Sequence, residues 1–297
     1  MTGFRLVGGA ASPRVPAGES GNVSRLVQDR VATCRHPSSY RHRTVSSCRR
    51  RRSNGLNRPI AALRQTWQHP QVPDESLTDP AIIRAKGYFE EFAAVYDESA
   101  HDSGWLLNGR LVEMLTGVGP VGNALDLACG TGATLSELER ALPGAALVGV
   151  DIAEAMVIRA AARVPAARFV LADMRAYVDQ TDERFDVVTV IGGFEFTPDL
   201  PGVLRGLRRL VRPSGHLVLT YEPILDGWDP QSKRVETNLG SNGLELTTFR
   251  WHPGEVAAAL DGWSTVSSRL LAAYRRDGLP TVYGWLHARR PHTEIDA

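Results

Sequence analysis

From Ala124 onward the chain alternates short apolar runs with amphipathic segments, and this alternation constrains the fold more than any other feature. The runs are "ALDLA" (Ala124 to Ala128), "ALVGV" (Ala146 to Val150), "RFVLA" (Arg168 to Ala172), "FDVVTVI" (Phe185 to Ile191) and "GHLVLTYE" (Gly215 to Glu222). Between them, Thr134 to Leu142, Ala153 to Ala162, a short stretch after Asp173, and Pro201 to Val211 read as helices. Strands that are apolar at nearly every position are buried on both faces. Helices between successive strands supply that cover, so the pattern predicts a parallel sheet wound with helices on both sides. Farther on, "GLELTTFRW" (Gly243 to Trp251) reads as a strand and "PGEVAAAL" (Pro253 to Leu260) as a helix. Two more strands are expected around Ser264 to Tyr274 and Pro280 to Arg289. Asp277-Gly278 between them is a hairpin signal, which makes these last strands antiparallel neighbours.

The region before Ala124 divides in two. Residues 1–70 hold 13 arginines against Glu19 and Asp29, a charge of +11, so with a net +1 the rest of the chain stands near −10. "YRHRTVSSCRRRRSNGLNRP" lacks any apolar period, and residues 1–75 are expected to be a disordered Arg/Ser-rich extension. RNA binding, a targeting signal, and translation from a start placed upstream of Val72 are open readings of it. Order is expected from "DPAIIRAKGYFEEFAAVYDES", where Asp79 can cap, Pro80 suits the first turn, and apolar residues recur at helical spacing. Three parts follow: 1–75 as extension, 76–123 as a helical cap and 124–297 as the main domain. Cys34, Cys48 and Cys129 have no pairing or metal-ligand spacing, so a reduced, cytoplasmic compartment and no metal are expected. No apolar run approaches the roughly 20 residues of a membrane span.

Ligands of open α/β sheets bind outside the carboxyl ends of the strands. The loop "LACGTGATL" after the first strand is therefore a candidate site. Gly130 and Gly132 permit a sharp turn and close approach. Asp151, ending the second strand 21 residues after Gly130, can take both hydroxyls of a ribose. A nicotinamide dinucleotide or another adenosine cofactor fits so far. Three details separate them. Leu135 replaces the third glycine of G-x-G-x-x-G, no lysine lies four residues after a tyrosine, and Asp126 at the mouth of the loop would oppose a diphosphate. A sulfonium or ammonium is what that carboxylate would attract, which suits S-adenosylmethionine.

On these residues the sequence resembles the class I S-adenosylmethionine-dependent methyltransferases. "LDLACGTG" is similar to their first motif, with Ala128 where glycine is commoner. "VGVDIAEAMV" (Val148 to Val157) is similar to the second, and "LADMRAY" (Leu171 to Tyr177) to the third. The resemblance implies a Rossmann-like seven-stranded sheet, mostly parallel with an antiparallel last strand, and helices on both faces. It implies Asp151 on the ribose, Ile152 against the adenine, Asp173 and the Met174 N–H on the adenine edge, with Met156, Ile191 and Gly192 completing the cofactor set. "FEEFAAVYDE" is similar to the first helix of the small-molecule branch, in which Tyr96 would cover the cofactor.

Other roles stay open for these residues. Asp126, Asp151 and Asp173 could instead cap loops or helices. Cys129 could pack rather than react, and Tyr96 could be core. For the chemistry, Glu195 in "GGFEFTPD" and Tyr221 at the end of the fifth strand are the candidates for proton transfer. Phe194, Glu222, Trp228, Arg250 and Trp251 are candidates for holding the acceptor. His216 falls at the wrong end of its strand. The expected reaction moves a methyl group to O or N of a small metabolite. A protein side-chain acceptor and a non-catalytic cofactor-binding protein are the alternatives. The acidic domain and the missing Asp/Asn-Pro-Pro-Tyr/Phe argue against a nucleic-acid acceptor.

Overall fold

A computed structural model of the protein describes residues 77–102, 108–225, 234–238, 245–276 and 279–292. The arginine-rich extension, Trp228 and the Asp277-Gly278 turn lie outside them. The described helices are α1 (Pro80–Phe92), α2 (Tyr96–Asp102), α3 (Leu111–Met114), α4 (Ala133–Ala141), α5 (Glu154–Arg163), α6 (Met174–Gln180), α7 (Leu200–Leu210) and α8 (Pro253–Ala259). The strands are β1 (Asn123–Leu127), β2 (Ala146–Asp151), β3 (Arg168–Leu171), β4 (Phe185–Val190), β5 (Val211–Tyr221), β6 (Arg234–Asn238), β7 (Glu245–Phe249), β8 (Ser264–Arg276) and β9 (Leu279–Arg289).

Seven strands form one sheet in the order β3-β2-β1-β4-β5-β9-β8. The first five run parallel, and β9 runs antiparallel between β5 and β8. The Rossmann-like sheet with an antiparallel last strand is thus the observed one. Each strand feeds both core layers because side chains alternate across it. Leu125, Leu127, Val148, Val150, Val188 and Val190 pack with α6, α7 and α8. Ala124, Leu147, Val187, Phe169, Tyr283 and Trp285 pack with α3, α4 and α5. Helix α7 shows why such segments are helical: Leu200, Val203, Leu204, Leu207 and Leu210 are buried at helical spacing while Arg205 and Arg209 face water. Each buried leucine contributes about 2 kcal/mol. Asp199, its side chain accepting from Gly202 N, starts the helix one residue before the predicted Pro201.

At β5 and β9 the chains approach closely. The Tyr221 ring lies on Gly284, where a Cβ would come within 2.5 Å of it. A second, two-stranded sheet, β6-β7, was only half legible. The strand at Glu245–Phe249 is expected from its apolar residues. Its partner, "RVETN", has one apolar residue and no period-2 signal. Leu246 of β7 packs against Ala85 and Tyr88 of α1, and Arg84 donates to Thr247 Oγ1 at 3.0 Å. Among the described residues no helix is long and apolar enough to cross a membrane.

Candidate active site

The sheet order reverses between β1 and β4, and the loops leaving those strands open a cleft at their carboxyl ends. Ala128 follows β1 with φ 57°, a left-handed conformation that a side chain disfavours. Cys129 N then donates to Val150 O at 2.9 Å and Gly130 N to Asp151 Oδ2 at 2.8 Å, which ties the loop to β2. Gly132, at φ 82°, begins α4, and a Cβ there would sit 3.0 Å from Ala160 Cα. Gly193, in the loop after β4, is equally confined: a Cβ would meet the Ala128 methyl at 2.7 Å. The two loops touch at this point, and together they floor the cleft.

Helices α1 and α2 close it from above. Glu90 accepts from Glu154 N at 2.6 Å and Ala155 N at 2.9 Å, the first turn of α5. Thr131 of the glycine loop donates to Asp97 at 2.6 Å, and Arg163 bonds both Asp97 and the Thr131 carbonyl. Phe89 meets Phe196 edge-on at 4.9 Å and Tyr96 at 6.3 Å. The cleft between these elements is partly open to solvent.

Nine of the twelve residues expected at the cofactor line it: Tyr96, Ala128, Gly130, Asp151, Ile152, Met156, Asp173, Met174 and Gly192. Three do not. Gly132 lies in the helix start, and Ile191 is packed in the core beside α4 and α5. Asp126 is 1% exposed beneath the loop, with Oδ1 accepting from Thr189 at 2.6 Å and Oδ2 without a hydrogen-bond partner. Phe89, Phe196, Thr197 and the α1 residues Ile82 and Ala85 also line the cleft. Sequence reasoning missed these. The helical period of α1 was legible, but nothing in it says which partner its inner face meets.

The acid side chains differ in what they hold. Asp151 Oδ1 accepts from Ala153 N at 3.0 Å, so Asp151 anchors both the loop and the start of α5. Burial raises its pKa to about 6, against the lowering effect of those N–H groups. Burial pushes Asp126 up further, to about 8, with the Thr189 hydroxyl only partly offsetting it. Asp173 caps α6 through Oδ1, accepting from Arg175 N at 2.9 Å and Ala176 N at 3.0 Å, and lines the cleft as well. Capping and ligand contact are compatible there. Burial and the charges of Glu195 and Asp151 raise the Tyr96 pKa, and burial keeps the Cys129 thiol neutral.

The remaining candidates lie beside the cleft. Glu195 is in a 3-10 turn, Phe194–Phe196, and accepts from the Tyr283 hydroxyl at 2.7 Å. Glu222 accepts from Arg250 Nε at 3.1 Å, and Trp251 Nε1 donates to the Phe194 carbonyl at 3.4 Å. Tyr221 is packed in the core on Gly284 and does not line the cleft. His216 bonds His287 at 2.9 Å midway along β5, away from its carboxyl end.

Part of this chain resembles a known family. Residues 124–215 match the methyltransferase domain family. The chain is similar to a methyltransferase domain over these residues. It is 37% identical over 138 residues to the nocamycin O-methyltransferase of Saccharothrix syringae, covering 44% of this chain and 49% of that protein. The chain spans about half the length of the curated relatives it matches. Magnesium protoporphyrin IX methyltransferase from Synechocystis PCC 6803, solved with bound SAM, superposes with a TM-score of 0.52 at 17% identity, over 72% of this chain and 99% of that one. The cyclase SpnF superposes with a TM-score of 0.55 at 15% identity, over 72% and 98%. Such distant likenesses establish the fold alone.

In the loop after β1, Ala128 is a strained position with a simple test. Alanine in the left-handed region costs about 1–2 kcal/mol over glycine, part of which glycine gives back as chain entropy. Ala128→Gly is expected to raise the melting temperature by about 2–4 °C, the shift that about 1 kcal/mol produces in a domain of this size. Scanning calorimetry that found a lower melting temperature would show that the methyl's packing against Gly193 outweighs the strain.

Proposed function

We propose that the protein is an S-adenosylmethionine-dependent methyltransferase that moves a methyl group to O or N of a small molecule. One observation carries this reading. The ionisable side chains lining the cleft are Asp151, Asp173 and Tyr96, with Asp126 buried behind them and no Lys, Arg or His among the lining residues. A diphosphate would face the Asp151 and Asp173 carboxylates with no lining cation to offset them. A cationic cofactor meets attraction. The partnerless Asp126 Oδ2 fits this as well, since a buried carboxylate oxygen lacks only the donor that an ammonium would supply.

S-adenosylmethionine, when bound, supplies a methyl group on a cationic sulfur. In this reading Asp151 accepts from the ribose hydroxyls, Asp173 and the Met174 N–H receive the adenine edge, and Ile152 and Met156 pack beside it. Asp126, beneath the loop, attracts the ammonium from behind the cleft floor, and Tyr96 with Phe89 excludes water. The loop Gly192–Gly193 leaves room for the acceptor, and Glu195 is the candidate proton acceptor beside it. The enzyme's contribution is then largely alignment, because an in-line displacement gains most from fixed geometry. The methyltransferase relatives named above favour a small-molecule acceptor over a peptide.

Titration calorimetry with S-adenosylmethionine and NAD tests the cofactor. S-adenosylmethionine is expected to bind and NAD to give no heat. Binding of NAD without S-adenosylmethionine would overturn the proposal.

A further inference from the structure

The cofactor reading uses only part of the cleft wall. Among the lining residues it leaves over are Ile82, Ala85 and Phe89 of α1, with Phe196 and Thr197 from the loop after β4. The first three fall at i, i+3 and i+7, so they share one face of their helix. Phe89 meets Phe196 edge-on at 4.9 Å, and Ala85 packs in the same cluster. Two segments more than 100 residues apart thus form one wall.

The sheet order separates this wall from the acids. Asp151 and Asp173 stand at the ends of β2 and β3, on one side of β1, whereas Phe196 and Thr197 follow β4, on its other side. The wall carries no ionisable side chain. Its one polar side chain is Thr197, whose hydroxyl accepts from Asp199 N at 3.4 Å. Glu195, in the same turn, is held by the Tyr283 hydroxyl and does not line the cleft. An ionised acceptor would lose hydration against this wall and find no partner. A carboxylate would also face Asp151 and Asp173 with no lining cation, and an ammonium would approach the cofactor's own cationic sulfur. An uncharged apolar molecule meets neither penalty and gains by covering Ile82, Phe89 and Phe196.

Building on the methyl-transfer reading, we infer that Ile82, Ala85, Phe89, Phe196 and Thr197 form the wall that selects the acceptor, and that the acceptor is an uncharged, largely apolar molecule. Specificity then comes from shape and from the absence of charge on this side of the cleft. The acids on the other side are left to the cofactor.

Three naphthalene probes test this on protein saturated with S-adenosylhomocysteine. At neutral pH 2-naphthol is uncharged, 2-naphthoate is an anion and 2-(aminomethyl)naphthalene is a cation. Titration calorimetry is expected to give 2-naphthol about tenfold or more higher affinity than either ion. Phe196→Ala is expected to weaken 2-naphthol about fivefold to tenfold, with S-adenosylhomocysteine affinity unchanged. Ile82→Arg, at a half-buried position, is expected to place 2-naphthoate ahead of 2-naphthol. If Phe196→Ala loses both ligands, Ile82→Arg decides. An ion that binds the wild-type complex as tightly as 2-naphthol, or a complex that takes up no 2-naphthol, overturns this inference and leaves the methyl-transfer reading standing. So does a Phe196→Ala variant that weakens S-adenosylhomocysteine and spares 2-naphthol, since the wall would then belong to the cofactor. A wild-type chain that binds no S-adenosylhomocysteine overturns both.

Discussion

Asp151→Ala is expected to weaken S-adenosylmethionine binding by about 10- to 100-fold, the value of hydrogen bonds made by a charged group. The same substitution is expected to change stability at pH 7 by only about 1 kcal/mol. Two effects nearly cancel. Removing the side chain strips an acceptor from the Gly130 and Ala153 N–H groups, which costs about 1–3 kcal/mol each. It also removes a buried charge whose pKa is raised from 3.8 to about 6 even with those N–H groups bonded, a burial cost that acts in the opposite direction. Calorimetric binding and urea melts on the same preparation separate the outcomes. Unimpaired binding together with a large stability loss would make Asp151 a capping residue and nothing more.

Affinity for S-adenosylmethionine is expected to rise by up to about tenfold per pH unit between pH 6 and 8, and to fall above as the cofactor's own ammonium loses its proton. Asp126, with its pKa near 8, carries a proton in the free protein through most of that range. A bound cation favours the ionised form, so binding expels the proton. The free protein should show the opposite trend. Because the folded pKa lies above the unfolded 3.8, the contribution of Asp126 to stability is full below pH 3.8 and is lost as pH rises toward 8. Calorimetry in two buffers of different ionisation enthalpy counts the protons released. Deprotonation of the cofactor's own ammonium near pH 8 is separated by Asp126→Asn, which should abolish the rise below pH 8. A pH-independent affinity in the wild-type protein would remove Asp126 from the binding site.

Much of this was readable before any coordinates. The strand–helix alternation requires a parallel sheet because apolar strands must be covered on both faces. Local signals place the glycine loop and the aspartates at strand ends, and nine of the twelve expected cofactor residues do line one cleft. The failures have particular causes. Tyr221 lies near the right strand end, but a strand end does not reveal whether a side chain faces the cleft or the core. Tyr221 turned inward because Gly284, 63 residues away, leaves space for its ring. Strand β6 has no local signal, since its pairing is supplied by β7.

The sequence by itself determined the order of strands and helices, the turn of the glycine loop and the acid character of the site. These depend on periodicity, on backbone freedom at glycine and on side-chain charge, all of which are local. Only the tertiary structure decided that Tyr283 meets Glu195 across 88 residues, that Glu90 and Asp97 fasten α1 and α2 over the cleft, and that no basic side chain among the described residues lines it. Those contacts depend on where distant segments are brought together as two core layers exclude water, and no short stretch of sequence encodes that.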